Sequence, residues 1–281
     1  MKDKLLVSGC SYTQYFYPTW SDWLGEHFNE YINLGMSGTG ARYSYLKILN
    51  FLNSPDINPR EYIVIVQWSS LLRHDYRRNP HNNWSGGGQI DNNDFFDEKY
   101  VKEYYNPLDK LNDLIYYIDH LVLLSKKYKF KLLMTYMFEP WIQDFLGEPV
   151  FHTIGKEHIR NVKQSSYLKI LKEHTEKSYW INPSIEKHSL DNPPRHLIKS
   201  TLENGPQRDH HPSPYQHWLY SKLIAQKLRK KMDVKYKKLS LDLSRFLATS
   251  HNDLKLKKVF INIPGESLTH KKLESIIKKV I

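Results

Sequence analysis

The sequence is poor in cysteine and contains no long hydrophobic run. Its 281 residues include one cysteine, Cys10, which excludes an internal disulfide and a cysteine-based zinc site. No stretch approaches the roughly 20 consecutive apolar residues that cross a bilayer. The apolar run near the N-terminus, residues 5–8, is too short for the core of a signal peptide. We therefore expect a cytoplasmic protein without a membrane span.

Acidic residues are also scarce. The 30 Asp and Glu residues face 41 Lys and Arg residues, which gives a formal net charge of +11. A basic surface attracts polyanions, but no helix-turn-helix, zinc-finger or RNP motif accompanies the charge, so nucleic-acid binding is the weakest functional alternative. Apolar residues recur at helical spacing among the lysines of 221–232, which predicts an amphipathic helix with a solvated basic face.

Short apolar runs alternate with helical patterns along most of the chain. We predict strands at 5–8, 31–34, 62–66, 130–136 and 179–182, and helices at 19–28, 42–52, 108–128, 166–175 and 214–232. This alternation predicts an α/β fold, a three-layer α/β/α sandwich with a central parallel sheet. The polar segment at about 73–106, which contains three consecutive glycines, reads as a surface insertion into this domain.

The alternation of strand and helix patterns begins again near the C-terminus. We predict one domain at 1–235 and a small, basic α/β extension at 236–281, with a strand at 259–263 and a helix at 268–280. This extension can add to the sheet edge, form a separate unit, or bind a protein partner or a second copy of the chain.

Three segments with reactive residue types follow predicted strands or open the last large helix. Ser11 follows the first strand, a glycine-rich loop at 35–40 follows the second, and Asp209 and His211 precede the helix. The carboxyl ends of parallel strands meet at one sheet edge, where ligands bind. A histidine oriented by a carboxylate can take the proton of a serine hydroxyl, which makes that serine a nucleophile.

Together these segments resemble the SGNH/GDSL hydrolase superfamily over residues 4–232. Gly9-Cys10-Ser11 resembles the Gly-Asp-Ser block, Asn33 and Gly38 resemble the second block, and Asp209-His210-His211-Pro212-Ser213 resembles the last block. The resemblance implies a flavodoxin-like fold and ester hydrolysis. It assigns Ser11 as the nucleophile, His211 as the base and Asp209 as the residue that orients the base.

The resemblance also implies an oxyanion hole that includes the backbone N–H groups of Ser11 and Gly38. At the third block the chain reads Gln67-Trp68-Ser69-Ser70, so Ser69 stands where the family has an asparagine donor. A serine hydroxyl can donate one hydrogen bond. Either Ser69 replaces the asparagine as the oxyanion donor, or the Gln67 side chain donates instead, or the oxyanion is bound more weakly. The Trp-Ser-Ser…Arg pattern resembles phage-encoded members, for which a virion-associated location is the alternative.

We predict that Tyr12, Trp68 and Arg73 contact the substrate, an acylated (often acetylated) glycan or a lipid-like ester. Aromatic rings stack on sugars, and Arg73 can bind a carboxylate or a sugar acid or instead form a surface ion pair. No metal or other cofactor is predicted.

Other readings of the same residues stay open. Cys10 is an alternative nucleophile, and three histidines, His210, His211 and His217, are an alternative metal site. A non-catalytic interaction protein with the same fold, such as a phage structural or accessory protein, is the main functional alternative.

Overall fold

The structure is a computed structural model, and it describes residues 4–78, 83–89, 98–138, 156–191, 211–248 and residue 275. The strands are β1 (Lys4–Ser8), β2 (Glu30–Asn33), β3 (Tyr62–Trp68), β4 (Arg73–Arg78), β5 (Asn83–Gln89) and β6 (Lys131–Tyr136). The helices are α1 (Trp20–Gly25), α2 (Ala41–Leu52), α3 (Glu98–Tyr104), α4 (Pro107–Tyr128), α5 (Lys156–Gln164), α6 (Ser166–Thr175), α7 (Ile185–Asp191), α8 (Pro214–Leu228) and α9 (Lys235–Ala248).

Four strands form a parallel sheet in the order β2-β1-β3-β6. At its centre Val7 of β1 lies opposite Ile65 of β3, which in turn lies opposite Leu133 of β6. Every residue of β3 is buried, as expected for an apolar strand covered on both faces. The strand predicted at 179–182 is reduced to an isolated parallel bridge between Trp180 and Met134.

Helices cover both faces of this sheet, because successive side chains of a strand point to opposite faces. Leu5 and Val7 pack in one hydrophobic core with α1, α8 and α9. Leu6 packs in the other core with α2, α4 and α6. The predicted α/β class with a parallel sheet is confirmed at this level.

The polar insertion has regular structure of its own. Strands β4 and β5 form an antiparallel pair, with an irregularity in register between Arg73 and Asp75, and α3 follows them. Asp75 and Val101 are buried, so parts of this segment contact the body of the domain.

The first part of the predicted C-terminal extension packs on the main domain. Helix α9 lies against α8, its residues Tyr236 and Leu243 belong to the same core as Trp23, and Ser244 Oγ accepts a hydrogen bond of 2.9 Å from the Tyr215 amide. The predicted boundary at 235 therefore falls at the start of a helix that shares the domain's core. The strand at 259–263 and nearly all of the helix at 268–280 lie outside the described residues. No helix in the described ranges is long and apolar enough to cross a membrane.

Candidate active site at the carboxyl edge of the sheet

Ser11 lies in a tight turn directly after β1. The carbonyl oxygen of Cys10 accepts hydrogen bonds from the amides of Thr13 (2.9 Å) and Gln14 (3.0 Å), so the chain makes a single turn around Ser11. Ser11 is only 2% exposed, and its Oγ has no hydrogen-bond partner among the residues that the structure describes. A buried hydroxyl without a partner is destabilising, and Ser11 shares this state with three other serines of the described chain.

Gly9 allows this turn to close onto β3. A Cβ atom at Gly9 would lie 2.1 Å from Thr13 Oγ1, closer than atoms can pack, and 3.1 Å from Gln67 Cβ, which is a tight contact. Thr13 Oγ1 donates a 2.8 Å hydrogen bond to Gln67 Oε1 in the space that the missing side chain leaves. A side chain at position 9 would therefore press on Thr13 and on Gln67 of β3.

The carbonyl oxygen of Thr13 holds the same turn against the neighbouring elements. Three side-chain donors lie within hydrogen-bond distance of it: Thr19 Oγ1 (2.7 Å), Ser21 Oγ (2.7 Å) and Asn33 Nδ2 (2.9 Å). Asn33 Oδ1 also accepts from the amide of Gly35 at 2.9 Å. Asn33 thus links the end of β2 to the Ser11 turn, and its contacts are those of a positioning residue.

The glycine-rich loop, residues 35–40, lies next to the turn that contains Ser11. The amide of Met36 donates to the carbonyl oxygen of Gly9 at 3.0 Å, and Thr39 Oγ1 donates to the Met36 carbonyl oxygen at 2.6 Å. Gly38, between them, has a positive φ of 81°, a conformation that favours glycine. The loop that carries Gly38 is therefore at the Ser11 edge, and the role of its N–H as an oxyanion donor stays a prediction.

His211 packs against the Ser11 turn, about 200 residues away in sequence. Its imidazole stacks on Tyr15, with ring centroids 4.1 Å apart and planes inclined by 17°, and lies 5.0 Å from the ring of Tyr12. Next to it, Tyr17 donates a 2.9 Å hydrogen bond from its hydroxyl to the carbonyl oxygen of Pro212. The structure therefore brings His211 to the loop that bears Ser11. Asp209 and His210 lie outside the described residues.

The start of α8 fixes where His211 lies. Ser213 and Gln216 form a reciprocal cap at this helix end. Trp23 Nε1 donates to the Pro214 carbonyl oxygen at 3.2 Å, and the amide of Trp20 donates to His217 Nδ1, also at 3.2 Å. His217 is fully buried. Because the His217 imidazole accepts a hydrogen bond from the backbone of α1, His217 connects α1 to α8 in this structure.

Besides Trp68 Nε1, which lies in the core, two side-chain polar groups at the end of β3 have no hydrogen-bond partner within the described chain. They are Ser69 Oγ, on a residue that is 2% exposed, and Gln67 Nε2, on a residue that is fully buried. Both are donors that the sequence offered as replacements for the family's asparagine. The structure leaves both of them available at the same strand end.

Trp68, predicted to contact the substrate, is buried in this structure. Its side chain is fully buried in the core with α2 and α4, because Trp68 is the last residue of β3 and points to the sheet face opposite the Ser11 side. Tyr12 is also buried, at 3% exposure, and its ring packs on Phe138, His211 and His217. The packing of Tyr12 supports the histidine and leaves little of its own ring to meet a ligand.

Arg73 lies at the start of β4, where it lines a cavity of about 370 Å³ together with Ser69 and Ser70. The surface ion pair considered as an alternative for Arg73 is not seen among the described residues. The cavity also has lining residues that the sequence did not suggest, including Arg42, His74 and Lys110.

Cys10 is fully buried, and its Sγ lies 3.1 Å from the Sδ of Met137. Burial raises the pKa of the Cys10 thiol, and the nearby charge of Arg73 opposes this rise only in part. A thiol held in its protonated form is a poor nucleophile. Within the described ranges, no three His, Cys, Asp or Glu side chains are grouped closely enough to hold a metal ion.

Two functional contacts escaped the sequence reasoning. One is the stacking of the Tyr15 ring on His211. The other is Asp75, whose carboxylate accepts from the amides of Gly40 (2.5 Å) and Tyr43 (2.8 Å) and so caps α2 from another element. Neither has a local signal, because an aromatic in a loop and a capping residue more than 30 positions away look ordinary in sequence.

Comparison with protein-family models, with curated proteins and with solved structures finds no match to this chain.

Proposed function

We propose that this chain is a serine ester hydrolase of the SGNH/GDSL type, acting on O-acyl groups of a glycan or on a lipid-like ester. One observation carries the proposal. The buried hydroxyl of Ser11 has no hydrogen-bond partner in the described structure, and His211 stacks on the loop that holds it. Because an unpartnered buried hydroxyl is costly for stability, its presence in the loop on which a histidine stacks favours a chemical role.

The sheet order supports the same reading. The order β2-β1-β3-β6 corresponds to the first four strands of the flavodoxin-like arrangement, in which ligands bind at the switch point between β1 and β3. Ser11 follows β1 and Ser69 follows β3, so the two proposed site residues flank that switch point.

The proposed reaction is acyl transfer in two steps. Ser11 Oγ attacks the ester carbonyl carbon while His211 takes the hydroxyl proton, and the alcohol leaves with that proton. Water, deprotonated by His211, then attacks the acyl-enzyme and releases the carboxylic acid and Ser11. The oxyanion of each step is bound by the N–H groups of Ser11 and Gly38 and by Ser69, with Asp209 orienting His211.

A second function, a non-catalytic interaction protein that keeps this fold, is favoured by a specific observation. Ser11 is 2% exposed and its Oγ makes no hydrogen bond to His211 in this structure. Catalytic hydrogen bonds often form only when the substrate is bound, so the two functions are separated by reactivity.

Covalent labelling with a fluorophosphonate, read by intact mass, tests the proposal. We expect the wild-type protein to gain one label, and both Ser11→Ala and His211→Ala to gain none. Ser125→Ala is the matched control, because Ser125 lies on α4, where its hydroxyl donates to the carbonyl oxygen of Val122. If the wild-type protein shows neither labelling nor hydrolysis of p-nitrophenyl acetate, the interaction protein is the better reading. Steeply salt-dependent DNA binding would instead favour the nucleic-acid alternative.

A further inference from the structure

The cavity beside Ser69 is large enough for a small molecule. Its volume is about 370 Å³, within the roughly 300–1,000 Å³ of small-molecule sites. It lies between the start of α2, the first residues of β4 and the first turns of α4. Ser69 connects it to the proposed catalytic edge, since Ser69 belongs to both.

Three cationic side chains line this cavity: Arg42, Arg73 and Lys110. None of them forms an ion pair with any residue in the described ranges. Asp75 and Asp113 also line it. The lining therefore has three positive groups that lack a bound counter-charge, against two carboxylates.

Those two carboxylates offset the three positive groups only in part. Both oxygens of Asp75 accept hydrogen bonds from backbone amides at the start of α2, and Asp75 is buried. Burial is also the largest influence on the pKa of Asp75 and raises it, whereas the two amide hydrogen bonds and the charges of Lys110 and Arg42 lower it, so Asp75 offsets part of their charge. Asp113 is exposed to solvent, where a charge is strongly screened.

Two hydrogen-bond donors in the lining have no acceptor within the described structure. They are the hydroxyl of Ser69, on a residue that is 2% exposed, and the buried Nε of Arg73. The unpartnered guanidinium N–H is complementary to an anionic ligand, whereas the single O–H of Ser69 is the donor proposed for the oxyanion of the reaction. The pKa of His74 in the same lining is lowered to about 4, first by burial and then by the charges of Lys110 and Arg42, which reports a positive potential there.

Aromatic rings form another part of the lining. Tyr76, Trp84 and Tyr117 contribute to it, and Trp84 packs edge-to-face on Tyr43 at 5.6 Å. Such rings pack against the apolar faces of sugar rings. A cavity with cations, donors and aromatic rings suits a sugar that carries a negative charge.

We infer that this cavity binds an anionic group of the substrate, a carboxylate or phosphate on an O-acylated sugar, through Arg73 and Lys110. That the anion belongs to the substrate rests on the proposed function as an ester hydrolase. That the cavity binds an anion does not depend on that function. Arg73 gives the planar, bidentate recognition that a carboxylate or phosphate requires.

Anion binding is tested first on the full-length Ser11→Ala protein, which removes the proposed chemistry. We would titrate it with sodium glucuronate and with inorganic phosphate by calorimetry, at ionic strength held constant with sodium chloride. We expect saturable binding that Arg73→Gln weakens about tenfold to 100-fold, the effect of losing a charge-assisted hydrogen bond. Lys110→Gln is a second variant in case Arg73→Gln does not fold. Arg60→Gln is the matched control, because Arg60 is exposed and precedes β3 at the opposite edge of the sheet.

The substrate assignment is tested with a pair of esters, an O-acetylated methyl glucoside and the same sugar as its uronate. We expect the wild-type kcat/KM to favour the uronate about tenfold or more, and Arg73→Gln to abolish that preference while Arg60→Gln keeps it. Absence of saturable binding, or equal loss in Arg60→Gln and Arg73→Gln, overturns the anion site. Anion binding in Ser11→Ala together with an inert wild-type protein supports the site and rejects the proposed hydrolase instead. Hydrolysis of both esters at equal rates overturns the substrate assignment.

Discussion

The ring of Tyr15 stacks on the imidazole of His211, with 4.1 Å between ring centroids and 17° between ring planes. The ring of Tyr12 lies 5.0 Å from the same imidazole, and Tyr17 donates a 2.9 Å hydrogen bond to the carbonyl oxygen of Pro212. Since α8 begins only three residues after His211, the histidine is held between a helix end and an aromatic ring. The stacking therefore sets the orientation on which the proposed proton transfer depends.

Replacing Tyr15 should lower the rate of catalysis through His211. We expect Tyr15→Ala to reduce kcat by roughly 2–10-fold, because an aromatic pair contributes about 0.5–1.5 kcal/mol to holding the ring. Tyr15→Phe keeps the ring and should keep the rate. The measurements are kcat and KM for p-nitrophenyl acetate, together with the thermal midpoint. A loss confined to the thermal midpoint, with kcat unchanged, would contradict a positioning role.

Cys10 should be dispensable for activity. Since the Cys10 thiol is buried and burial raises its pKa, it is not expected to supply a thiolate. Cys10→Ala should retain kcat while lowering the free energy of unfolding by roughly 1–2 kcal/mol, the usual effect of removing buried atoms. Activity and urea unfolding of the variant are compared with the wild type, with iodoacetamide treatment of the wild type as a parallel check. Loss of activity in the Cys10→Ala variant and in the iodoacetamide-treated wild type would identify Cys10 as the nucleophile instead of Ser11.

Ser69 should act as an oxyanion donor. Removing one such donor lowers kcat by about 100-fold or more, so Ser69→Ala should show this loss with little change in KM. Ser69→Asn restores a donor of the kind the family uses and should retain much of the rate, since Ser69 borders a cavity with room for the longer side chain. If Ser69→Ala is as active as the wild type and Gln67→Glu is not, the donor is the Gln67 amide.

His74 should make stability depend on pH in the acid range. Its pKa is lowered to about 4 in the folded chain, against roughly 6.5 when unfolded. Because the unfolded chain binds the proton more tightly, this stabilisation is present above pH 6.5 and is lost as the pH falls through about 4. The ring is only half-buried, so we expect about 1–2 kcal/mol after solvent screening.

The check on His74 is urea unfolding of the wild type and His74→Gln from pH 7 down to pH 4. The wild-type free energy of unfolding should fall more steeply with decreasing pH than that of the variant. Parallel curves over this interval would show that His74 titrates normally.

Gly9→Ala should destabilise the fold at the Ser11 turn. The added Cβ meets Thr13 Oγ1 at 2.1 Å, and overpacking of this kind costs about 1–3 kcal/mol. The thermal midpoint should fall by roughly 2–4 °C for each kcal/mol. In a Thr13→Ala background the same substitution should cost less, because the nearest clashing atom is gone. An equal cost in both backgrounds would show that the Thr13 contact is not the cause.

Much of the fold could be predicted from local pattern. The apolar runs of β1, β2, β3 and β6 were placed within a few residues, and the predicted helices at 42–52, 108–128 and 166–175 match α2, α4 and α6 closely. The helix predicted at 19–28 ends at Gly25, and the polar insertion contains a strand pair that its composition does not indicate. Long periodic segments are predictable, whereas short elements depend on what they pack against.

The sequence by itself determined the parallel sheet and the three segments that meet at its carboxyl edge, because burial on both faces requires continuous apolar strands and leaves polar residues at their ends. Only the tertiary structure decided that Trp68 lies in the core, that Tyr15 carries His211, and that Ser69 joins Arg73 and Lys110 around one cavity. These relations connect residues far apart in the chain. They depend on how α2, α4 and α8 pack on the sheet, and helix packing leaves no signal in a local window of sequence.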